Sequence, residues 1–271
     1  MSEQDTGTGK PPQGSPEAIP AGAAPKMPLF YTAPQPVNAT RHARYGVRDK
    51  ADLSFAAGTN VLPIGIGEFA SAAKNYPVVF SAEPPHMPVI IVGLRNGENV
   101  FVTASKLWAQ SAYVPAYVRR FPFVFMETPD QKQMILCIDE GSELVSEGGE
   151  MALFDAEGKQ TAIIDRALEF CRMFHQQHEA TRQFVAALAE HELLGDNTTE
   201  IQLGENRKIE LKGYKIVDRA KFDALDDAVF LDWRRGWLAP IYHHLQSGTN
   251  WPNLMQQTVA RAQEKAAAEQ A

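Results

Sequence analysis

Cysteine is nearly missing from this 271-residue chain. Only Cys137 and Cys171 are present, far too few for a disulfide scaffold, and both sit inside apolar runs where a thiol packs as a small hydrophobe. That usage fits a reducing compartment. Excess positive charge is missing too: 26 lysines and arginines stand against 33 aspartates and glutamates, a net charge of -7. Such a balance favours solubility and argues against nucleic-acid and anionic-membrane partners, which attract basic surfaces. Long apolar runs are absent, none approaching the roughly 20 residues of a transmembrane helix. No basic start followed by an apolar stretch marks a secretory signal. The expectation is a soluble, cytoplasmic protein with no membrane span and no nucleic-acid partner. A dinucleotide fingerprint is also lacking, because Gly65-Ile66-Gly67-Glu68-Phe69-Ala70 has no third glycine and no Rossmann unit around it; no cofactor is expected.

What is present is ordinary core-forming material, 44% hydrophobic, preceded by a stretch that cannot form a core. Residues 1–26 are rich in Gly, Pro, Ser, Ala and Thr, and their composition predicts a disordered tail. Residues 27–252 are expected to form one α+β domain, and residues 253–271 a fraying C-terminal helix with little apolar surface. Scattered aromatics and prolines over Met27–Val47 suggest an arm laid on the core. Ile66–Ala73 reads as a short helix leading into a strand from Tyr76 to Phe80. The apolar run Val89–Leu94 predicts a strand covered on both faces, hairpinned to Val100–Thr103 through the Asn96-Gly97 pair. A second hairpin is expected between Phe121–Glu127 and Met134–Ile138, turning at Pro129-Asp130.

From Thr161 to Leu194 apolar residues recur at helical spacing, with Gly195 placed as a C-cap. Ile201–Leu203 and Lys208–Leu211 alternate like a half-exposed hairpin around Gly204-Glu205-Asn206-Arg207, and Tyr214–Val217 extends that sheet. Asp218 caps a short helix, and Asp226 or Asp227 opens a longer one to Leu245 with a bend at Gly236. The fold class is therefore α+β, a largely antiparallel sheet with two long helices packed against it.

The least ordinary stretch is Tyr113-Val114-Pro115-Ala116-Tyr117-Val118-Arg119-Arg120-Phe121-Pro122-Phe123, an aromatic run interrupted by two adjacent arginines. Pro115 suits a helix start and Pro122 turns Phe121 away from helix, so a short helical turn should feed a strand. With Leu53–Gly58, Tyr76–Phe80, Leu136–Glu140, Gly148-Gly149 to Asp155, Thr181–Phe184 and the helix from Phe222 to Leu245, this run resembles the SapC family of bacterial proteins. The resemblance covers about Leu53 to Trp251. It implies association with a bacterial surface layer and carries no catalytic residue set. A cell-surface location is implied by that family label alone.

Adjacent helical residues point about 100° apart, so Arg119 and Arg120 cannot serve one partner equally, whereas Tyr117 and Arg120 share a face. One arginine should pair with Asp139 or Glu140 at the end of the neighbouring hairpin and the other hold an anion. The candidate ligand site is thus Tyr113, Tyr117, Arg119, Arg120, Asp139 and Glu140, against the plainer reading of a structural ion-pair cluster. Cys171, His175 and His178 share a helix face at i, i+4 and i+7, a candidate metal set without a fourth ligand. Cys137 lies in an apolar strand, where a thiol is inert. Trp233-Arg234-Arg235-Gly236-Trp237 reads less as a stacking and phosphate-binding patch than as a packed tryptophan face whose arginines are solvated or pair with Asp226, Asp227 or Asp232. These readings lead to a non-catalytic binding or assembly protein whose partner is an unknown protein or a small anionic ligand. An enzyme or auxiliary factor holding that anion at Tyr117, Arg119 and Arg120 is the alternative.

Overall fold

Short apolar runs broken by proline and glycine give short strands here. The computed structural model describes residues 27–48, 52–128, 133–202 and 208–268. The expected tail and the turns at Pro129-Asp130 and Gly204 to Arg207 lie outside the described residues. In chain order the strands are β1 Pro34–Pro36, β2 Tyr45–Val47, β3 Val61–Pro63, β4 Val78–Ser81, β5 Pro88–Ile91, β6 Phe123–Glu127 and β7 Met134–Asp139. Then come β8 Val145–Glu147, β9 Met151–Ala152, β10 Leu194–Gln202 and β11 Lys208–Val217. The helices are α1 Ala39–His42, α2 Phe69–Ala72, α3 Ala116–Arg120, α4 Ala162–Glu190, α5 Arg219–Asp223, α6 Asp227–Trp233, α7 Leu238–Ser247 and α8 Trp251–Ala268.

All described strand pairs are antiparallel, in sheets ordered β1-β7-β6, β10-β11-β4-β5-β3 and β8-β2-β9, so the chain is α+β as its hairpin signals imply. The β6–β7 hairpin forms in the expected place, with Phe123 opposite Ile138 and Glu127 opposite Met134. Tyr214–Val217 does continue the β10–β11 pairing, within β11. In the sheet β8-β2-β9 the middle strand is β2, and Gly46 runs so close to Gly149 that a Cβ on either residue would collide with the other's backbone.

The expected partner of the Val89–Leu94 run is a correction. Val100–Thr103 makes no ladder with it; one bond, from Val100 N to Val92 O at 2.9 Å, is followed by an isolated bridge between Val102 and Trp108. Both edges of β5 are already taken, by β3 and β4, so the loop after Gly93 has no edge to join. Gly97 does adopt the positive φ of the predicted turn, +75°.

Two apolar clusters form, and α4 runs across both. Its first turns bury Ile164, Ala167 and Cys171 with Phe123, Val124, Cys137 and Ile138 of the β6–β7 hairpin. Its last turns bury Phe184, Val185 and Leu188 against Phe69, Val79 and Phe80 around the five-stranded sheet. Between these ends, residues 172–179 are exposed or half-exposed. The helix stops earlier than expected: Glu192 takes the left-handed conformation, φ +51°, Leu193 N bonds to Leu188 O at 2.9 Å, and Gly195 lies inside β10. The second long helix is also corrected, since the chain breaks after Trp233 into α6 and α7 around Gly236, leaving Trp233 and Trp237 in an edge-to-face pair 5.4 Å apart. Asp218 and Asp226 cap α5 and α6 as their residue types suggest, accepting from Ala220 N and Ala228 N. Farther on, α8 docks Leu254 and Thr258 inside, and Arg261 donates to the Val102 carbonyl at 2.9 Å.

His244 ties α7 to the large sheet. Its Nε2 accepts from Val217 N at 3.0 Å, so the other nitrogen carries the proton and Nδ1 donates to Val78 O at 2.8 Å. Burial pushes its pKa down to about 4, opposed by the bond to Val78. The unfolded chain therefore takes up the proton first as pH falls. This contribution to stability is complete above the unfolded value near 6.5 and is lost progressively down to about 4, a change on the order of 3 kcal/mol. Urea midpoints measured from pH 7 to pH 4.5 should drop more steeply in the native protein than in His244→Gln, whose amide does not titrate. Equal slopes would remove this role from His244.

Candidate ligand-binding cleft

Because α4 is longer than either cluster, its middle faces a gap. The gap is a cleft of about 690 Å³ bounded by α3, by Phe170, Phe174, His175, Gln177 and His178 of α4, and by the ends of β3, β5, β6 and β7. Pro115 starts α3, its carbonyl accepting from Val118 N and Arg119 N at 3.0 Å each. Val118 then anchors in the larger cluster and Phe121 in the smaller. That pinning holds Tyr117, Arg119 and Arg120 over the gap.

The two arginines have different surroundings. Arg119 is exposed, and its Nε donates to Val114 O and its Nη2 to the Tyr113 hydroxyl, each at 3.0 Å. Tyr113 in turn donates to Glu68 Oε1 at 2.9 Å, so Arg119 is linked to a carboxylate through a phenol. Burial first, then the Glu68 charge, pushes the Tyr113 phenol up to about 12. Arg120 is only 9% exposed. Its guanidinium carbon lies 4.3 Å from the Phe174 ring centroid, 4.6 Å from that of Tyr117 and 5.5 Å from that of Tyr31.

No aspartate or glutamate among the described residues comes within ion-pair distance of Arg120, and its Nε is buried without a hydrogen-bond partner. The Tyr31 hydroxyl donates to Phe123 O at 2.6 Å and that of Tyr117 to Leu29 O at 3.2 Å. Burial raises both phenols, and Arg120 pulls them back in part.

Tyr113, Tyr117, Arg119 and Arg120 thus converge, and Cys171, His175 and His178 line the same cleft. Asp139 and Glu140 do not join them, which corrects the expected pairing. The arm lies across the end of β7 and takes both carboxylates. Asp139 Oδ1 accepts from Thr32 N at 3.0 Å and Ala33 N at 2.5 Å, and Oδ2 from the Thr32 hydroxyl at 3.4 Å. Glu140 accepts from Arg41 Nε and Nη2 at 2.5 and 2.7 Å and lies 3.1 Å from His42 Nε2. The Arg41 bond holds the Glu140 carboxyl below its usual value.

The metal reading is corrected as well: among the described residues no three His, Cys, Asp or Glu side chains converge as a metal site requires. From i to i+7 a helix rises about 10.5 Å, so one face is not one point. Cys171 is packed in the smaller cluster while His175 and His178 are exposed on the cleft side. Burial pushes the Cys137 thiol up to about 11, leaving no thiolate there.

Sequence reading missed Glu68, Tyr31 and Phe174. Glu68 Oε2 accepts from Gly65 N at 2.9 Å and Oε1 from Ala116 N at 2.7 Å, joining the turn before α2 to the start of α3. Its signal was an acidic residue three positions after a helix start, the back-bonding half of a capping box. Phe174 was visible as one turn from Phe170, but Tyr31 reaches the cage from outside the local sequence.

An α+β protein built on antiparallel sheets, with an arginine in an aromatic cage at the foot of a cleft, is the class that fold and site define. The chain belongs to the SapC family, whose family model matches residues 37–254. No curated protein and no solved structure matches it.

With Asp139 serving the arm, Asp139→Ala should leave the Thr32 and Ala33 amides unanswered and lower stability by about 2–4 kcal/mol. Denaturant unfolding measures this. A change under about 0.5 kcal/mol, the range of ordinary surface substitutions, would return Asp139 to the pool of possible partners for Arg120.

Proposed function

We propose that this SapC-family chain is a non-catalytic binding protein that holds a small anion at Arg120, with Tyr117 and Arg119 beside it. The observation that carries the reading is a buried guanidinium with no carboxylate partner among the described residues, opening on a cleft. Desolvating an ion costs several kcal/mol even after relaxation. A cation–π contact returns about 2 kcal/mol when desolvated, so three rings offset much of that cost. Rings cover the charge, and the Nε–H is left without an acceptor. An anion supplies that acceptor through a charge-assisted hydrogen bond.

The remaining polar groups favour holding over proton transfer. Glu68 is committed to three hydrogen bonds, and burial raises the phenols of Tyr31 and Tyr117. The surface-layer role attached to the family is an assembly setting in which such a binding protein would act.

Arg120→Met tests the reading through a stability and binding contrast. Removing an unpaired buried charge should leave the unliganded melting temperature unchanged or higher, because no ion pair is broken. Acetate, benzoate and phosphate are the probes. At a concentration of about 100 Kd a bound anion adds about 2.7 kcal/mol to the native protein, and Arg120→Met should lose that gain. Retention of anion stabilisation by the variant, or none in the native protein, overturns the proposal.

A further inference from the structure

The shape of the cleft says more about its ligand than the charge alone. Resting on the anion-binding reading of Arg120, we infer that the ligand is an amphiphile of the fatty-acid class, with one carboxylate at Arg120 and an aliphatic chain laid in the cleft.

The cations and the apolar walls are segregated. A second cavity of about 290 Å³ shares Arg119, Arg120, Phe170 and Cys171 with the first, so the arginines stand at the junction of the two. The wall formed by Pro63, Ile64, Pro88, Val124 and Phe125 belongs to the larger cavity alone and offers apolar side chains. At about 690 Å³ this cavity lies within the ~300–1,000 Å³ of small-molecule sites and far exceeds the needs of a carboxylate.

Three methionines line the same cavity, Met87, Met134 and Met173, of which Met134 is 37% and Met173 56% exposed. Methionine is the residue that follows the contour of a flexible apolar partner at least cost. Leu29, 39% exposed, stands beside Pro28 of the same cleft. Apolar side chains gathered around one opening mark a surface that a ligand covers.

The charge count selects a monoanion. Arg119 is linked to Glu68 through Tyr113, while Arg120 has no carboxylate partner among the described residues. One carboxylate balances Arg120. An aliphatic chain then buries the methionine rim, and each methylene covered contributes about 0.8 kcal/mol.

Calorimetric titration of the full chain with acetate, butanoate, hexanoate, octanoate and decanoate, all below their micelle concentrations, tests this. Affinity should rise about threefold to fourfold per methylene, the factor to which 0.8 kcal/mol corresponds. Decanol should bind at least tenfold more weakly than decanoate, and decyl phosphate no more tightly than decanoate. The ratio of decanoate to decanol in the native protein reads the charge without any variant. Met134→Asp, at an exposed position, should weaken decanoate tenfold or more.

Arg120-dependent binding that is equally strong for acetate and decanoate overturns the amphiphile and keeps the anion site. Decyl phosphate binding tenfold tighter than decanoate overturns the single-carboxylate head. Absence of any binding along the series overturns both this inference and the anion reading. Should Arg120→Met fold poorly, Arg120→Lys keeps the charge and removes the planar fork, and an unchanged decanoate affinity in it overturns the role given to the guanidinium.

Discussion

A single helix has to satisfy two cores. The 29 residues of α4 extend about 43 Å, longer than either apolar cluster, and the helix buries its first and last turns against different sheets. Hydrophobic burial thus fixes both ends and leaves the middle to meet α3, through Phe174 against Tyr117 and Arg120, instead of a core. A gap beside a rigid helix is the result. Phe30 and Phe55, packed against both clusters, join the two cores. The cleft is therefore part of how the fold closes, and its walls are held by elements that the core already orders.

Electrostatics then decide what the cleft offers. Asp139, Glu140, Glu68, Arg119 and Arg120 look interchangeable on paper, yet each carboxylate already has other partners. Asp139 takes backbone amides of the arm, Glu140 takes Arg41 with His42 beside it, and Glu68 fastens the start of α3. Arg119 reaches Glu68 through Tyr113. By elimination the charge of Arg120 is left to aromatic rings. A guanidinium suits that position better than an ammonium would, since its delocalised charge is weakly hydrated and stacks on ring faces.

The sequence made the local part of this legible and the distant part opaque. The β6–β7 hairpin, the span of α4 within a few residues, the Asp218 cap and the shared face of Tyr117 and Arg120 are all readable from periodicity or from contacts a few residues apart. The pairing of Val100–Thr103 with β5 failed because turn chemistry cannot report that both edges of a strand are already occupied. Asp139 was misassigned for a similar reason: its partners lie 107 and 106 residues away, on an arm whose scattered aromatics predicted docking but no register. Phe174 and Tyr31 met Arg120 only once α4 and the arm were in place. Helical spacing put Cys171, His175 and His178 on one face and said nothing of whether they reach a common point.

Tyr31 gives the site a property that Arg120 alone would not have. With its ring over the guanidinium and its hydroxyl bonded to Phe123, the arm helps cover the cation, which is left 9% exposed on the cleft. An arginine on an open surface is screened by dissolved ions over roughly 8 Å at physiological salt, and its attraction for an anion fades as salt is added. Under the rings of Tyr31, Tyr117 and Phe174 that screening atmosphere is thinner than on an open surface. The attraction between Arg120 and a bound anion should therefore persist across a wide range of ionic strength, so the site keeps its strength in briny and dilute surroundings alike.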